Sequence, residues 1–550
     1  MPQDKRRVRL TPGEVFTRGW VVELILDLAG YTAAEDLAEA TTVEPSCGAG
    51  AFLVPMVRRL VASCRRSGVN ITSARNAIAA FDLRSRNVEL ARKAVTEVLV
   101  QAGVMEGDAE ALVAAWVNQG DFLDPGMKVP MGNWVLGNPP YIRPEDVGPM
   151  MEQYRRSWST MRGRSDIYVG FIERALRSLH PGGRLGFIVS DRWMRNAYGD
   201  GLRRLVADGY SVEAVVGMHD VDAFESRVAA YPAVVVVRKA SQQTAVVAEA
   251  KRSFDRKSAE RLSRWTGGTS RYKSTPAFEA HRLPGWFDGS GSWPTGSPRT
   301  LAMVAGLERH LPPLEDPATG TRVGIGVATG ADDVFITDKE GLVEAEQMLP
   351  LILGRHTTSG VLRWGQDRRW LVNPWGRDGL VDLADWPRLA AHFEANADLL
   401  TARHTVRKLA APPQGGRPKN WYRTIDRVDV GLTGREKLLL PDIKASIHPV
   451  LDEGAGYPHH NLYWVASTGW DIELLGGLLL SEIANTFVAT YSVRMANGCL
   501  RFMAAYLRRI RVPRPESIAA PERRALQEAF RYRDVERATG VATKVYGLTL

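Results

Sequence analysis

Apolar and polar positions in the first 240 residues follow two alternating patterns, one with helical spacing and one of short apolar runs. Apolar side chains recur as on one face of a helix in residues 19–30, 51–62, 86–101 and 166–179. Short apolar runs bounded by turn residues predict strands at 41–45, 77–83, 133–141 and 183–190. This alternation predicts βαβ units, and therefore a mostly parallel sheet covered by helices.

The end of this region departs from the parallel pattern. Residues 212–218 and 233–239 are two more apolar runs, and a loop of about a dozen residues joins them. That loop is too short for an ordinary helical crossover, so the pair is predicted to be antiparallel. With a further strand that ends at Asp121, these runs predict a Rossmann-like α/β sheet of seven mixed strands. This arrangement resembles the fold of class I S-adenosylmethionine-dependent methyltransferases.

From about residue 245 onward the pattern changes. Three regions are predicted, namely a catalytic domain at 1–245, a linker or start of a second domain at 246–320, and a second domain at 321–550. Residues 251–300 are rich in Arg, Lys, Ser, Gly and Pro, a composition typical of linkers. Beyond them, short strands and helices mix without a βαβ period, which predicts an α+β domain. Residues 521–537 are expected to form an exposed charged helix.

Charge and composition indicate the cellular compartment of the protein and the kind of partner it binds. The formal net charge of +9 favours a polyanionic partner such as nucleic acid, although many enzymes are basic. The cysteines Cys47, Cys64 and Cys499 have neither a disulfide framework nor zinc-ligand spacing. No apolar run approaches the roughly 18 residues of a membrane helix, and the start of the chain lacks the apolar core of a secretory signal. We therefore expect a soluble cytoplasmic protein without a membrane segment or a metal site.

The segment Asn138-Pro139-Pro140-Tyr141 follows an apolar run and indicates a specific chemistry. The amino nitrogen of adenine is a poor nucleophile because its lone pair is delocalised into the ring. Two neutral acceptors, the Asn138 side-chain oxygen and the Pro139 carbonyl, can hold its hydrogens and stabilise the charge that develops as it attacks. The prolines fix this carbonyl, and Tyr141 offers a flat face to a base rotated out of a duplex. A Pro-rich turn with a packed tyrosine is the alternative.

Acidic residues stand at the ends of three predicted strands. Glu44 opens the segment 44–50, whose glycines let the backbone approach a ligand and which no phosphate-binding lysine follows, so a P-loop is excluded. Glu44 can neutralise an ammonium group, and Asp82 can accept hydrogen bonds from ribose hydroxyls. Asp121 and Phe122 suit an adenine, as an acceptor for its amino group and an apolar wall. Each acidic residue alone is more often a solvated turn residue, but their shared βαβ frame favours a nucleoside cofactor.

Residues 12 to about 240 resemble the γ-class, TaqI-like amino-methyltransferases, in which the cofactor motifs precede the Asn-Pro-Pro-Tyr motif. The resemblance implies that S-adenosylmethionine is bound by Thr17, Glu44, Ser46, Gly48, Gly50, Asp82, Leu83, Asp121, Phe122, Asn138, Pro140 and Phe171. It implies a catalytic role for Asn138, Pro139, Pro140, Tyr141 and Phe224. Phe224 would form a second aromatic face for the extruded base, with core packing as the alternative. Arg18-Gly19 departs from the two prolines of the family's N-terminal motif, and Asp82 replaces the more usual glutamate.

The second half of the chain resembles the family's specificity regions more loosely. The segments concerned are 324–336, 438–444 and 498–513, so residues 321–550 are expected to recognise the DNA target. Residues 402–423 mix Arg and Lys with Trp421 and Tyr422. They either follow a phosphate backbone with the aromatic rings near bases or form a solvated basic loop.

The resemblance therefore implies a site-specific adenine-N6 methyltransferase that acts on double-stranded DNA and is expected to be monomeric. A separately encoded restriction endonuclease or defence-system subunits are left open as partners. Three alternatives use the same chemistry, namely methylation of N4 of cytosine, of adenine in RNA, and of a glutamine in release factors. The last is least favoured, because those enzymes are shorter and lack a basic C-terminal region of this size.

Overall fold

The computed structural model describes residues 16–225, 231–407, 417–492 and 499–548. The chain divides into two compact units, Met1–Gly306 and Leu307–Leu550. The first unit extends beyond the boundary predicted at residue 245. It takes in most of residues 246–320, which were predicted to form a linker or the start of a second domain. This corrects the predicted domain boundaries.

A ten-stranded sheet forms the centre of the first unit. Its strands are β1 (Thr42–Glu44), β2 (Ile78–Asp82), β3 (Val117–Gln119), β4 (Gly132–Gly137), β5 (Leu179–Ser190), β6 (Ser211–Gly217), β7 (Pro232–Arg238), β8 (Ala245–Ala250), β9 (Tyr272–Ser274) and β10 (Phe278–Leu283). Their order in space is β3-β2-β1-β4-β5-β7-β6-β8-β10-β9. Neighbours from β3 to β5 are parallel. β7 is antiparallel to both β5 and β6, so the predicted antiparallel pair is confirmed.

The prediction of seven strands is wrong, because β8, β9 and β10 extend the sheet. β8 pairs parallel with β6, β10 antiparallel with β8, and β9 antiparallel with β10. On β10 the side chains of Phe278, Ala280 and Leu283 are buried. A strand with one buried face needs apolar residues only at alternate positions. The polar and turn-forming residues around β10 therefore masked its strand pattern in the sequence.

Helices cover the sheet close to the predicted positions. In the first unit they are α1 (Gly19–Leu28), α2 (Leu53–Ser67), α3 (Ser85–Gln101), α4 (Glu106–Trp116), α5 (Pro144–Val147), α6 (Met150–Ser157), α7 (Tyr168–Arg177), α8 (Asp200–Gly209), α9 (Arg256–Thr266) and α10 (Pro298–His310). The boundary between the units falls within α10.

The second unit combines small sheets with helices. Its strands are β11 (Arg322–Ile325), β12 (Ile336–Thr337), β13 (Met348–Ile352), β14 (Trp370–Val372), β15 (Lys437–Pro441), β16 (Ile443–Lys444), β17 (Val450–Asp452), β18 (Tyr457–Pro458), β19 (Leu462–Ala466) and β20 (Leu500–Arg501). They form the sheets β11-β19-β15-β17, β12-β14-β13-β18 and β16-β20. The helices are α11 (Asp332–Phe335), α12 (Pro387–Ala395), α13 (Ala397–Ala402), α14 (His404–Arg407), α15 (Ile472–Leu480), α16 (Glu482–Tyr491), α17 (Ala504–Leu507), α18 (Ala520–Tyr532) and α19 (Val535–Val545).

The charged segment 521–537 is not one exposed helix. Arg533 adopts a φ of 58° between α18 and α19, which ends the first helix. The α18 side chains of Leu526 and Phe530 are buried. They lie against α15, where a Cβ added at Gly476 would be 2.7 Å from the Phe530 ring. The charged residues thus cover only the outer face of α18.

The aromatic residues of the basic segment 402–423 belong to the core of the second unit. Trp421 and Tyr422 are 7% and 9% exposed, and the Tyr422 ring stacks on that of Phe393. The Arg403 guanidinium donates hydrogen bonds to the carbonyls of Trp421 and Arg423. The prediction that these rings lie near bases is therefore wrong for both. Residues 408–416 of the segment lie outside the described residues.

No single helix in the described ranges is both long and apolar enough to cross a bilayer. α15 and α16 reach the threshold only when taken together, and they are bent by 65° at the break between them.

Candidate active site

Four neighbouring strands meet at one edge of the large sheet and bring the predicted site residues together. Because β1 to β4 are parallel neighbours, their carboxyl ends share this edge. A cleft here encloses about 990 Å³, including its open mouth. The predicted residues that line it are Thr17, Glu44, Ser46, Gly48, Asp82, Leu83, Asp121, Phe122, Asn138, Pro139, Pro140 and Phe171. Gly50, Tyr141 and Phe224 are not among its lining residues.

The two glycines after β1 have different positions. Gly48 and Gly50 adopt φ angles of 52° and 97°, a region that favours glycine. Gly48 lines the cleft. A Cβ at Gly50 would lie 3.5 Å from the Ala91 Cα of α3. Gly50 therefore allows the loop to pack closely on α3, instead of lining the cleft.

The Asp82 carboxylate organises the loop after β1. Its Oδ2 accepts a hydrogen bond from the Gly48 amide at 3.0 Å. Its Oδ1 accepts from the Arg84 amide at 2.9 Å and from Asn87 Nδ2 at 3.1 Å. A carboxylate offers about four acceptor positions, so Asp82 can still accept a ribose hydroxyl while it holds the loop. Sequence reasoning missed Asn87, which lies in the first turn of α3 and donates to Asp82 at the end of β2.

Glu44 is a buried carboxylate at the bottom of the cleft. Its side chain is only 1% exposed, and its Oε2 has no hydrogen-bond partner among the described residues. Burial raises the pKa of Glu44 well above its usual range, and the nearby Asp82 carboxylate adds to the shift. A buried carboxylate with an unsatisfied oxygen fits a cationic ligand group, such as the ammonium of S-adenosylmethionine.

The loop after β3 forms an aromatic wall of the cleft. The Phe122 and Phe171 rings stack, with centroids 5.3 Å apart and an interplanar angle of 28°. Asp121 Oδ1 accepts from the Leu123 amide at 2.9 Å, and its Oδ2 accepts from the Tyr154 hydroxyl at 2.7 Å. Tyr154, which sequence reasoning missed, therefore orients the Asp121 carboxylate.

Arg174 on α7 holds the loop after β3 through hydrogen bonds to its main-chain carbonyls. The guanidinium donates to the carbonyls of Phe122, Asp124 and Met127 at 2.5 to 2.6 Å. It also lies 5.2 Å from the centroid of the Phe122 ring, and the residue is 6% exposed. Sequence reasoning missed this role, although an arginine on the apolar face of a predicted helix is an unusual signal.

Asn138 is held by the N-terminal segment. Its Nδ2 donates to Thr17 Oγ1 at 3.1 Å. Thr17 pairs in turn with Phe224 as an antiparallel β-bridge, and the Arg18 amide donates to the Ala223 carbonyl. The amide of Asn138 is thus fixed at the cleft, and its Oδ1 remains the acceptor atom of the group.

Tyr141 and Phe224 lie against each other next to the cleft. Their ring centroids are 6.1 Å apart at an interplanar angle of 76°. The Tyr141 hydroxyl donates to the Ile188 carbonyl at 3.0 Å, and Phe224 is 5% exposed. A perpendicular contact leaves no parallel gap, so a base can lie between these rings only after they move apart.

Comparison with known proteins identifies the family of this chain. Residues 118–224 match the family described as Eco57I restriction-modification methylase. The Type II methyltransferase M.PaeR7I of Pseudomonas aeruginosa is 41% identical over 98% of this chain and 92% of its own length. M.XhoI of Xanthomonas vasicola, also a Type II methyltransferase, is 38% identical over 98% and 97%. The solved Type IIL restriction-modification enzyme MmeI in complex with DNA covers 97% of this chain and 74% of that one, with a TM-score of 0.40 and 12% identity.

The identity to full-length relatives is high enough to establish the family. The chain belongs to the Type II restriction-modification methyltransferases, enzymes that use S-adenosylmethionine as the methyl donor.

Proposed function

We propose that this protein transfers a methyl group from S-adenosylmethionine to the N6 amino group of an adenine that is rotated out of double-stranded DNA. The observation that carries the proposal is the position of Asn138, Pro139 and Pro140 in the same cleft as Glu44 and Asp82. One cleft can therefore hold a nucleoside cofactor and offer amide and carbonyl acceptors to an amino group. The γ-class assignment rests on the same residues.

The acceptors activate the target nitrogen. Asn138 Oδ1 and the Pro139 carbonyl accept the two amino hydrogens, which localises the nitrogen lone pair for attack. Thr17 holds the Asn138 amide by accepting from its Nδ2. Neither acceptor is basic, so the methylated nitrogen transfers its surplus proton to water.

The other cleft residues hold the donor. Glu44 binds its ammonium group, Asp82 its ribose, and the Phe122–Phe171 pair its adenine ring. Bound S-adenosylmethionine supplies a methyl group on a cationic sulfur. Tyr141 and Phe224 would separate to stack on the extruded base.

The remaining parts of the proposal concern the second unit and the setting of the enzyme. Leu307–Leu550 would recognise the DNA target, and the protein would act as a cytoplasmic monomer beside a separately encoded endonuclease or defence subunit. These assignments follow from the resemblance, and the Type II relatives support the restriction-modification setting.

The test is expression in a host without DNA methylation, followed by single-molecule sequencing and nucleoside mass spectrometry. We expect N6-methyladenine at one recurring sequence motif, and none in cells expressing the Asn138→Ala variant. N4-methylcytosine as the only product would contradict the adenine assignment. Unmodified DNA beside methylated RNA or release factor would contradict the choice of DNA.

Arg174→Lys should weaken cofactor binding about tenfold while the rate at saturating cofactor changes by less than about twofold. An ammonium group cannot hold three carbonyls in the plane that a guanidinium spans, so the Phe122 wall loosens. Isothermal titration calorimetry with S-adenosylmethionine and with adenosine should give the same reduction in affinity, because both touch that wall. The control is Arg177→Lys, one turn away, where the half-exposed side chain pairs with Glu173. Equal adenosine affinity in Arg174→Lys and wild type would refute this role.

A further inference from the structure

Two arginines of the second unit lie near one indole ring, and the main-chain carbonyl of a third accepts a hydrogen bond from one of them. The guanidinium carbons of Arg423 and Arg427 lie 5.9 and 6.0 Å from the Trp375 ring centroid. Arg427 Nη2 donates to the Arg377 carbonyl at 2.6 Å. We call Arg377, Arg423 and Arg427 the arginine cluster.

Among the described residues, the arginine cluster forms no ion pair. No carboxylate forms an ion pair with any of its members among the residues described by the structure. Some other arginines of this unit are ion-paired, such as Arg531 with Glu473 and Arg537 with Glu528. Adjacent guanidinium groups without counterions create a positive potential that attracts an external anion.

The surface between two of these side chains is concave. Residues 376–377 and 427–431 enclose about 1000 Å³, including the open mouth. Asp429 also lines this cavity, and its Oδ1 accepts from the Gly431 amide at 3.1 Å. With Arg377 and Arg427 on the same lining, positive charge exceeds negative charge in the cavity.

We propose that the arginine cluster binds the phosphate backbone of double-stranded DNA. Guanidinium groups bind phosphates through two parallel hydrogen bonds. Because Arg423 and Arg427 share one ring, their guanidinium carbons are less than about 12 Å apart. Each strand of B-DNA carries one phosphate per about 3.4 Å of helix axis, so both groups can reach phosphates of one short segment. The inference rests on the proposed function only for its ligand, duplex DNA.

The salt dependence of DNA binding tests this inference. Arg377→Gln, Arg423→Gln, Arg427→Gln and the triple variant are compared with wild type, using the full chain and a random-sequence duplex between about 50 and 200 mM NaCl. Each arginine that neutralises one phosphate contributes about 0.9 to the slope of log affinity against log salt, so the triple variant should have a slope shallower by roughly 2 to 3. Arg427→Lys should keep the wild-type slope, because lysine retains the charge although it cannot stack on Trp375.

Matched controls separate phosphate binding from a general change in charge. Arg537→Gln removes the same charge from an ion-paired site, and its slope should equal that of wild type. A triple variant with the wild-type slope overturns the inference. Binding of inorganic pyrophosphate is measured alongside, and if it is lost while the DNA slope is unchanged, the cluster binds a small anion instead of DNA. The single variants still test the cluster if the triple variant does not fold. Methylation is not measured, so an error in the proposed base would leave these slopes unchanged.

Discussion

Replacing Asn138 by alanine should lower the single-turnover methylation rate by about 10²- to 10³-fold, whereas affinity for S-adenosylmethionine should stay within about fivefold of wild type. Removing one preorganised hydrogen-bonding group aimed at developing charge costs about 3 to 4 kcal/mol in comparable sites. Alanine removes the Oδ1 acceptor, and the Pro139 carbonyl alone cannot hold both amino hydrogens. The cofactor-binding groups of Glu44 and Asp82 are unchanged by this substitution.

Two further variants sharpen the Asn138 prediction. Asn138→Asp keeps acceptor oxygens that Thr17 Oγ1 can hold by donating its hydroxyl hydrogen, so its rate should fall between those of Asn138→Ala and wild type. Asn118→Ala removes an amide from β3, where its Nδ2 bonds to the Ala115 carbonyl and it does not line the cleft. Asn118→Ala should methylate like wild type. A wild-type rate in Asn138→Ala under single-turnover conditions would remove Asn138 from the mechanism.

The strand-end carboxylates and the Asn-Pro-Pro segment could be predicted from the sequence because their positions follow from local pattern. Strand ends of a parallel sheet meet at one edge wherever they occur in the chain. Glu44, Asp82 and Asn138 could therefore be placed together from three short apolar runs, and the structure puts all three in one cleft.

The supports of the cleft could not be predicted in this way, because they come from elements distant in the chain. Tyr154 reaches Asp121 from α6, and Arg174 reaches the loop after β3 from α7, 50 residues from Asp124. Spacing along the sequence carries no information on such pairings. The edge-to-face packing of the Tyr141 and Phe224 rings was missed for the same reason.

The extension of the sheet shows a different limit. Residues 246–320 were assigned from composition to a linker or the start of a second domain, yet β8 and β10 pair within the sheet. Residue composition is an average over a stretch of the chain. Whether a short run forms a strand also depends on the strand it pairs with, and composition does not contain that information. β8, with the sequence AVVAEA, is buried at all but one position. Its apolar run was assigned to no element because the antiparallel pair before it was taken as the end of the sheet.

Glu44→Gln should raise the stability of the protein without cofactor, the reverse of most changes at a buried position. The pKa of Glu44 is raised on folding, so the unfolded chain ionises this group at lower pH than the folded chain does. Stability is therefore lost as pH rises from the unfolded pKa, about 4.3, towards the folded one. Glutamine removes that loss. Scanning calorimetry should show a higher Tm for Glu44→Gln at pH 8, with the difference shrinking towards pH 4.

The same substitution should weaken S-adenosylmethionine binding about 100-fold, because truncating one partner of a buried charge pair costs roughly 2 to 5 kcal/mol. Only the ionised carboxylate attracts the ammonium group, so wild-type affinity should rise with pH through the pKa of Glu44 in the cofactor-free protein. It should fall again once the ammonium group loses its own proton, at about pH 8. That rise should be absent in Glu44→Gln and present in Glu39→Gln, which changes an exposed carboxylate of the same unit. Calorimetric titrations between pH 5 and 9 in buffers of different ionisation enthalpy measure both the affinity and the proton released on binding. Among the described residues, Glu44 is the one buried carboxylate of the cleft lining that has an unsatisfied oxygen. Equal affinity and equal proton release in Glu44→Gln and wild type would nevertheless place the ammonium group elsewhere.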